Sequence, residues 1–483
     1  MQDKNSITVA NLKRAYALDA LRGFAILAMI LSGTIEYKIL PAWMYHAQEP
    51  PPTHTFNSNL PGLTWVDIVF PIFLFSMGAA IPLALANRLK KGFTTIQVIL
   101  YILKRGLLLG IFAIFLQHIR PLTINRNPSE QTWWIALLGF LILFFMFVRW
   151  PVKEKYRQYT EFITIGAWFA AIILVCFLRY PDGSGFSLAR SDIILVVLTN
   201  MAIFGAIAWF FTKDNLLLRL GLLGLLIALR LSASVKGSWI AVLWKASPIP
   251  WIFQFDYLKY LFIIIPGTIA GDLILDWLQI PVKNGGEEEI NSNWNHLRCY
   301  SIIFLMLTLV LGLLIGLQAR WLWQTALLST VLCLISWFLF VNPNNEKARL
   351  LQAFYQWGIY WLVLGLLFEP FEKGIKKDPA TLSYFFVTTA IALFLLITFT
   401  IIIDVFQQRK YLQLLIDNGQ NPMVAYVAFA NFLWPVLKLT YLEPLILEYT
   451  NIPLIGFIKG VIYTLLIAFF VSLCTKLKLL WRT

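Results

Sequence analysis

Stretches of about 20 apolar residues recur along this chain from residue 18 to residue 475, and few folds accept such a pattern. A helix crossing the hydrocarbon core of a bilayer needs roughly that length. Inside lipid every backbone N–H and C=O must also find its partner within the segment, which helices do and open strands do not. Segments that qualify run approximately 18–36, 62–86, 97–118, 132–149, 159–179, 191–212, 215–232, 257–280, 298–318, 321–341, 350–369, 383–405, 421–440 and 453–475. The fourth, seventh and thirteenth are the shortest or the most interrupted by polar residues. The expected fold class is all-α, a polytopic integral membrane protein of about 11–14 transmembrane helices. Composition agrees, since 13% of residues are charged against roughly 25% in soluble domains.

The formal net charge is +14. On a chain this apolar the excess Lys and Arg read as anchors for cytoplasmic loops and anionic headgroups, and nucleic acid is not expected as a partner. Basic residues cluster at the N-terminus (Lys4, Lys13, Arg14), after the second segment (Arg88, Lys90, Lys91), after the fourth (Arg149, Lys153, Lys155, Arg157) and in the tail (Lys476, Lys478, Arg482). The positive-inside rule then places both termini in the cytoplasm and residues 37–61 outside. The expected localisation is integral to a membrane, with the N-terminus cytoplasmic. Three parts are read from this layout: 1–280, an N-terminal membrane part with the candidate active site; 281–297, a cytoplasmic linker containing Gly285, Gly286 and Glu287 to Glu289; and 298–483, a C-terminal membrane part. The four cysteines, Cys176, Cys299, Cys333 and Cys474, lie far apart and have no metal-ligand spacing.

Two of the four histidines, His46 and His54, fall in the loop between the first two segments, and Asp67 opens the segment that follows. Histidine is the natural general base near neutral pH. A carboxylate within an apolar helix is expensive and marks a site by default, although an acid in a first turn also complements the helix dipole. Pro71 lies four residues after Asp67, so the Asp67 carbonyl loses its helical partner. His54 follows Pro50, Pro51 and Pro52, which stiffen the loop. Asp19 and Arg22 can pair at spacing i, i+3, and Lys104 with Arg105 extends a basic rim suited to phosphates. Asn421 opens a span and reads either as a cap or as a ligand donor. His118 and His296 read as interface and loop residues. No GxxxxGK[ST] phosphate loop occurs, which argues against ATP hydrolysis.

Taken together these residues resemble the transmembrane acyltransferase family of heparan-α-glucosaminide N-acetyltransferase and its bacterial relatives. The likeness runs through LDALRGFAILAMIL (Leu18 to Leu31), the His46-Ala47 pair, GLTWVDIVFPIFLFSMG (Gly62 to Gly78) and GQNPMVAY around Asn421. It covers about one-eighth of the chain, and its most specific part is the second-segment motif. The resemblance, to the family's bacterial branch, implies an acyltransferase of the bacterial inner membrane that moves an acetyl group from cytoplasmic acetyl-CoA to an amino sugar or sugar hydroxyl on the outer side. It implies His46 as base, with Asp67 as its orienter or a substrate ligand. Arg22, Lys104, Arg105 and Asn421 would hold coenzyme A. The implied partners are the bilayer, coenzyme A, a glycan or amino-sugar acceptor, and a second copy of the chain as a homodimer. This chain departs from the family by inserting EPPPTHTFNSNL after the His-Ala pair, which makes His54 a second candidate for the base. It also has Ser32 and Gly33 where family members often carry an asparagine.

Two other readings fit the composition. One is a glycosyltransferase using a polyprenyl-phosphate sugar, with Glu36 or Glu49 as its outer acid. The other is a transporter with Asp67 and Asp272 as intramembrane coupling residues.

Overall fold

A computed structural model describes residues 14–35, 40–280, 295–450 and 452–483. Fourteen of its helices are long and apolar enough to cross a membrane, and each coincides with one of the fourteen segments read from the sequence. They are α1 (Tyr16–Thr34), α2 (Trp65–Lys90), α3 (Thr95–Ile119), α4 (Glu130–Phe147), α5 (Glu154–Phe177), α6 (Ile193–Thr212), α7 (Leu216–Ala233), α8 (Phe255–Gln279), α9 (His296–Gln318), α10 (Leu322–Phe340), α11 (Glu346–Phe371), α12 (Leu382–Val405), α13 (Pro422–Leu439) and α14 (Pro453–Lys476). The protein is an all-α polytopic membrane protein. The three weakest segments form α4, α7 and α13. Residues 281–294 of the expected linker lie outside the described residues, as does Glu36; Asn295 caps α9 by accepting from the Arg298 N–H at 2.9 Å.

The core is organised around α12, whose residues are almost all buried. It packs against α1, α2, α8, α9 and α11, so the N- and C-terminal membrane parts share one interior. Two crossings bring backbones into direct contact. Between α1 and a short helix, Gln413–Gln420, a Cβ on Gly23 would fall 1.8 Å from the Leu415 carbonyl oxygen, and one on Gly419 would fall 1.8 Å from that of Asp19. Between α2 and α8, a Cβ on Gly78 would meet the Ile264 oxygen at 2.5 Å. Without hydrophobic drive between helices in lipid, small residues are what allow such approaches.

The two ends of the bundle differ. The chain's last residues return to the start of the bundle, where Val148 and Arg149 pair antiparallel with Trp481 and Leu480. The buried Trp481 ring packs against Phe112, Phe140 and Phe144. The opposite end carries the loop 40–64 and the α11–α12 loop, joined where the Gly62 N–H donates to the Ile375 carbonyl at 2.9 Å.

Candidate active site

At the end of the bundle away from the termini, Thr64 precedes α2 and Asp67 occupies its third position. One carboxylate oxygen, Oδ2, accepts from the backbone N–H of Thr64 at 3.0 Å and of Ala47 at 3.1 Å. This is a capping box, in which the first-turn acid satisfies donors the helix leaves orphaned. The other oxygen, Oδ1, lies 2.8 Å from His46 Nδ1. Asp67 thus acts as a helix-start acid through one oxygen and contacts His46 through the other. Asp67 itself is 1% exposed, whereas the His46 side chain is one-third exposed. Because an ionised carboxylate only accepts, the contact puts a proton on Nδ1, and in the neutral ring the lone pair is then on Nε2.

Pro71 leaves the Asp67 carbonyl without an intrahelical donor. The Tyr384 hydroxyl, from α12, donates to it at 2.8 Å. A buried polar group needs such a partner, and this one ties the site to the most buried helix of the fold.

A residue that sequence reasoning missed completes the cluster. Lys377, in the α11–α12 loop, places its Nζ 3.0 Å from Nδ1 and 3.3 Å from Nε2 of His46, and 3.9 Å from Asp67 Oδ1. An ammonium nearly equidistant from both ring nitrogens lies along neither in-plane nitrogen direction. In the ring plane such a position would collide with ring carbons, so the ammonium sits toward the imidazole face. Burial lowers the Lys377 pKa from its ordinary value, and the charges of Asp67, Glu49 and Asp378 oppose that shift. The loop is clamped by Gln48, whose side-chain amide donates to the Asp378 carbonyl and accepts its N–H at 2.8 Å. A signal did exist: Lys373, Lys376 and Lys377 crowd a loop that the positive-inside rule assigns to the outside.

His54 is placed differently. It adopts a positive φ of 49°, its ring meets Tyr45 edge-on at 4.6 Å, and its Nδ1 lies 3.2 Å from the Glu49 carbonyl. His118 is fully buried, bound to the Tyr180 hydroxyl and the Ser187 carbonyl, and holds the 178–192 loop. His296 stacks on Phe406.

The basic residues gather at the other end of a cavity of about 430 Å³. Arg88, Arg149 and Arg482, at helix ends and in the tail, line its mouth; Arg105, from within α3, and Arg22, whose guanidinium reaches the Ser76 carbonyl, line it further in with Phe73, Met77, Met29 and Tyr426. Along α2 the lining runs from Arg88 to Phe73, about 22 Å of helix. Phe73 lies six residues, about 9 Å, from Asp67. Arg22 also donates to the carbonyls of Gly419 and Ser76, each at 3.2 Å, and lies 3.6 Å from Asp19. The Arg482 pKa is pushed down to about 10 by burial at the mouth and by Arg14, Arg22 and Arg149 around it, with Asp19 opposing; it stays charged at neutral pH.

Of the four residues expected to hold coenzyme A, Arg22 and Arg105 share this cavity. Lys104 is exposed and does not line it, since the next position on a helix points about a quarter-turn away. Asn421 is fully buried, and its amide is used on backbone: it donates to the Leu479 carbonyl and accepts from the Trp481 N–H, each at 3.0 Å. It anchors the C-terminal strand rather than offering a ligand donor. Arg88, Arg149 and Arg482 read in the sequence as topology markers, and only folding brings them together. Asp272 is paired with Arg219 and accepts from the Trp209 indole at 2.8 Å.

A family profile described as a domain of unknown function (DUF5009) matches residues 14–274, more than half of the chain. The chain belongs to this family. No curated protein matches it. The matched region contains Arg22, His46, His54, Asp67 and Arg105, and ends before Lys377, Asn421 and Arg482.

Proposed function

We propose that this DUF5009 protein is an acetyl-CoA-dependent acyltransferase that works across a bacterial inner membrane, with both termini in the cytoplasm. One observation carries the reading. A single cavity along α2 gathers five arginines, three of them at its mouth, with an apolar neck that reaches Phe73, six residues from the Asp67 that holds His46. Guanidinium groups suit phosphate oxygens, and the mutual repulsion around Arg482 is relieved by a polyanion. An apolar neck suits the less charged arm that carries a thioester. Arg22, Arg88 and Arg105 would hold the phosphates of the donor substrate.

On the outer side His46 acts as general base. Asp67 keeps its proton on Nδ1, so Nε2 can take the proton of an amino-sugar nitrogen or sugar hydroxyl as that atom attacks the acyl carbon. The Arg219 pairing leaves Asp272 no free carboxylate to couple ion movement, which weakens the transporter reading. The test is titration of coenzyme A into purified full-length protein, followed by acetyl transfer from labelled acetyl-CoA to glucosamine. Saturable binding and transfer abolished by His46→Ala are expected. Folded protein that binds no coenzyme A would remove the reading.

A further inference from the structure

Resting on that reading, we infer that Lys377 is a catalytic residue whose ammonium stabilises the negative charge developing on the acyl carbonyl oxygen. Its placement carries the argument. The attacking acceptor atom must lie within hydrogen-bond reach, about 2.6–3.2 Å, of His46 Nε2. The acyl carbon is then one bond further. Lys377 Nζ is 3.3 Å from that same nitrogen and off its lone-pair axis, so it flanks the reacting carbon without occupying the acceptor's place. Its contact with Asp67 is long, at 3.9 Å, so the ion pair does not consume its donors, and its side chain is 31% exposed. The Gln48–Asp378 clamp preorganises it, which is the condition under which a fixed donor lowers a barrier without reorganising.

The step balances without any further reactant. The acceptor's lone pair forms the new bond to the acyl carbon, and its proton passes to Nε2. The carbonyl π pair moves to oxygen, where Lys377 donates. When that pair returns, the carbon–sulfur bond breaks, and the departing thiolate takes the proton from His46. The base is thereby restored and Lys377 keeps its own protons throughout.

The experiment compares wild type, Lys377→Met and Lys377→Arg, full-length in nanodiscs, with acetyl-CoA as donor and glucosamine as acceptor. Removing a fixed donor of this kind lowers kcat by roughly 10²–10³-fold. We expect Lys377→Met to show that loss in kcat, with coenzyme A affinity and acceptor KM each within about threefold, and Lys377→Arg to recover at least about tenfold of it. A Lys377→Met enzyme with kcat within about threefold of wild type, or one whose loss lies wholly in acceptor KM, overturns the inference while leaving the acyltransferase intact. A wild type that neither binds coenzyme A nor transfers acetyl overturns the parent reading instead.

Discussion

Exchanging Asp67 for asparagine tests the orientation of the base more sharply than deleting the base. The carboxylate uses both oxygens, and the donors around them are not equivalent. Oδ2 receives two backbone N–H groups, from Thr64 and Ala47, which can only donate. An asparagine at this position must turn its carbonyl oxygen toward them, because its NH₂ facing two fixed N–H groups would leave several buried donors unpaired. The NH₂ then faces His46 Nδ1, 2.8 Å away in the wild type. That nitrogen must accept, so its proton moves to Nε2 and the base presents the wrong tautomer to the acceptor. The cap is retained, so loss of stability should stay within about 1–3 kcal/mol, the worth of charge-assisted bonds made neutral. The rate loss should be far larger, on the order of 10⁴ in kcat, as for an aspartate-to-asparagine exchange in a Ser-His-Asp triad. The assay is kcat for acetyl transfer, with ¹⁵N-histidine spectra reporting the tautomer and titration reporting coenzyme A affinity. A folded Asp67→Asn protein with kcat within tenfold of wild type, or with Nδ1 still protonated, would refute the reasoning.

Other outcomes follow from the same geometry. Tyr384→Phe leaves the buried Asp67 carbonyl without its donor and should cost about 1–3 kcal/mol, read as a lowered Tm. Gly419→Val drives a side chain into the Asp19 carbonyl; it should cost more than the roughly 1–3 kcal/mol of ordinary overpacking and lower the yield of folded protein, whereas Gly33→Ala, with open space around it, should not. Arg105→Ala should weaken coenzyme A binding by roughly ten- to hundredfold, one charge-assisted contact of about 1.5–3 kcal/mol, while Lys104→Ala should change it by less than about twofold by calorimetry. Lys377 is faced by His46, Asp67, Glu49 and Asp378, and its pKa lies below the usual lysine value. Its charged form is the active one, so kcat should fall as pH rises through that lowered pKa, and Lys377→Arg should remove the alkaline limb from a pH–rate profile.

All fourteen spans were legible in the sequence because each is a local property. A run of apolar residues long enough to cross lipid must close its own hydrogen bonds whatever surrounds it. The His46–Asp67 pairing was legible only in part: the sequence put both near one helix start, 21 residues apart, but left His54 as a second candidate and a substrate as a second partner for Asp67, and the fold of the loop placed His46 on the carboxylate. Pro71 announced an orphaned carbonyl for the same local reason, but not that Tyr384, far along the chain, would fill it. Lys377 and the arginine mouth were decided by tertiary structure alone. Lys377 lies 331 positions from His46 and reaches it because α12 runs through the centre of the bundle and sets its preceding loop over the first one. Arg88, Arg149 and Arg482 each obey a topology rule that says which side of the membrane they take, but only helix packing decides that they meet around one cavity. Asn421 shows the converse: its sequence context suggested a helix cap or a ligand donor, and packing assigned its amide to the C-terminal strand instead, because a buried amide must satisfy itself with whatever backbone the fold brings within reach.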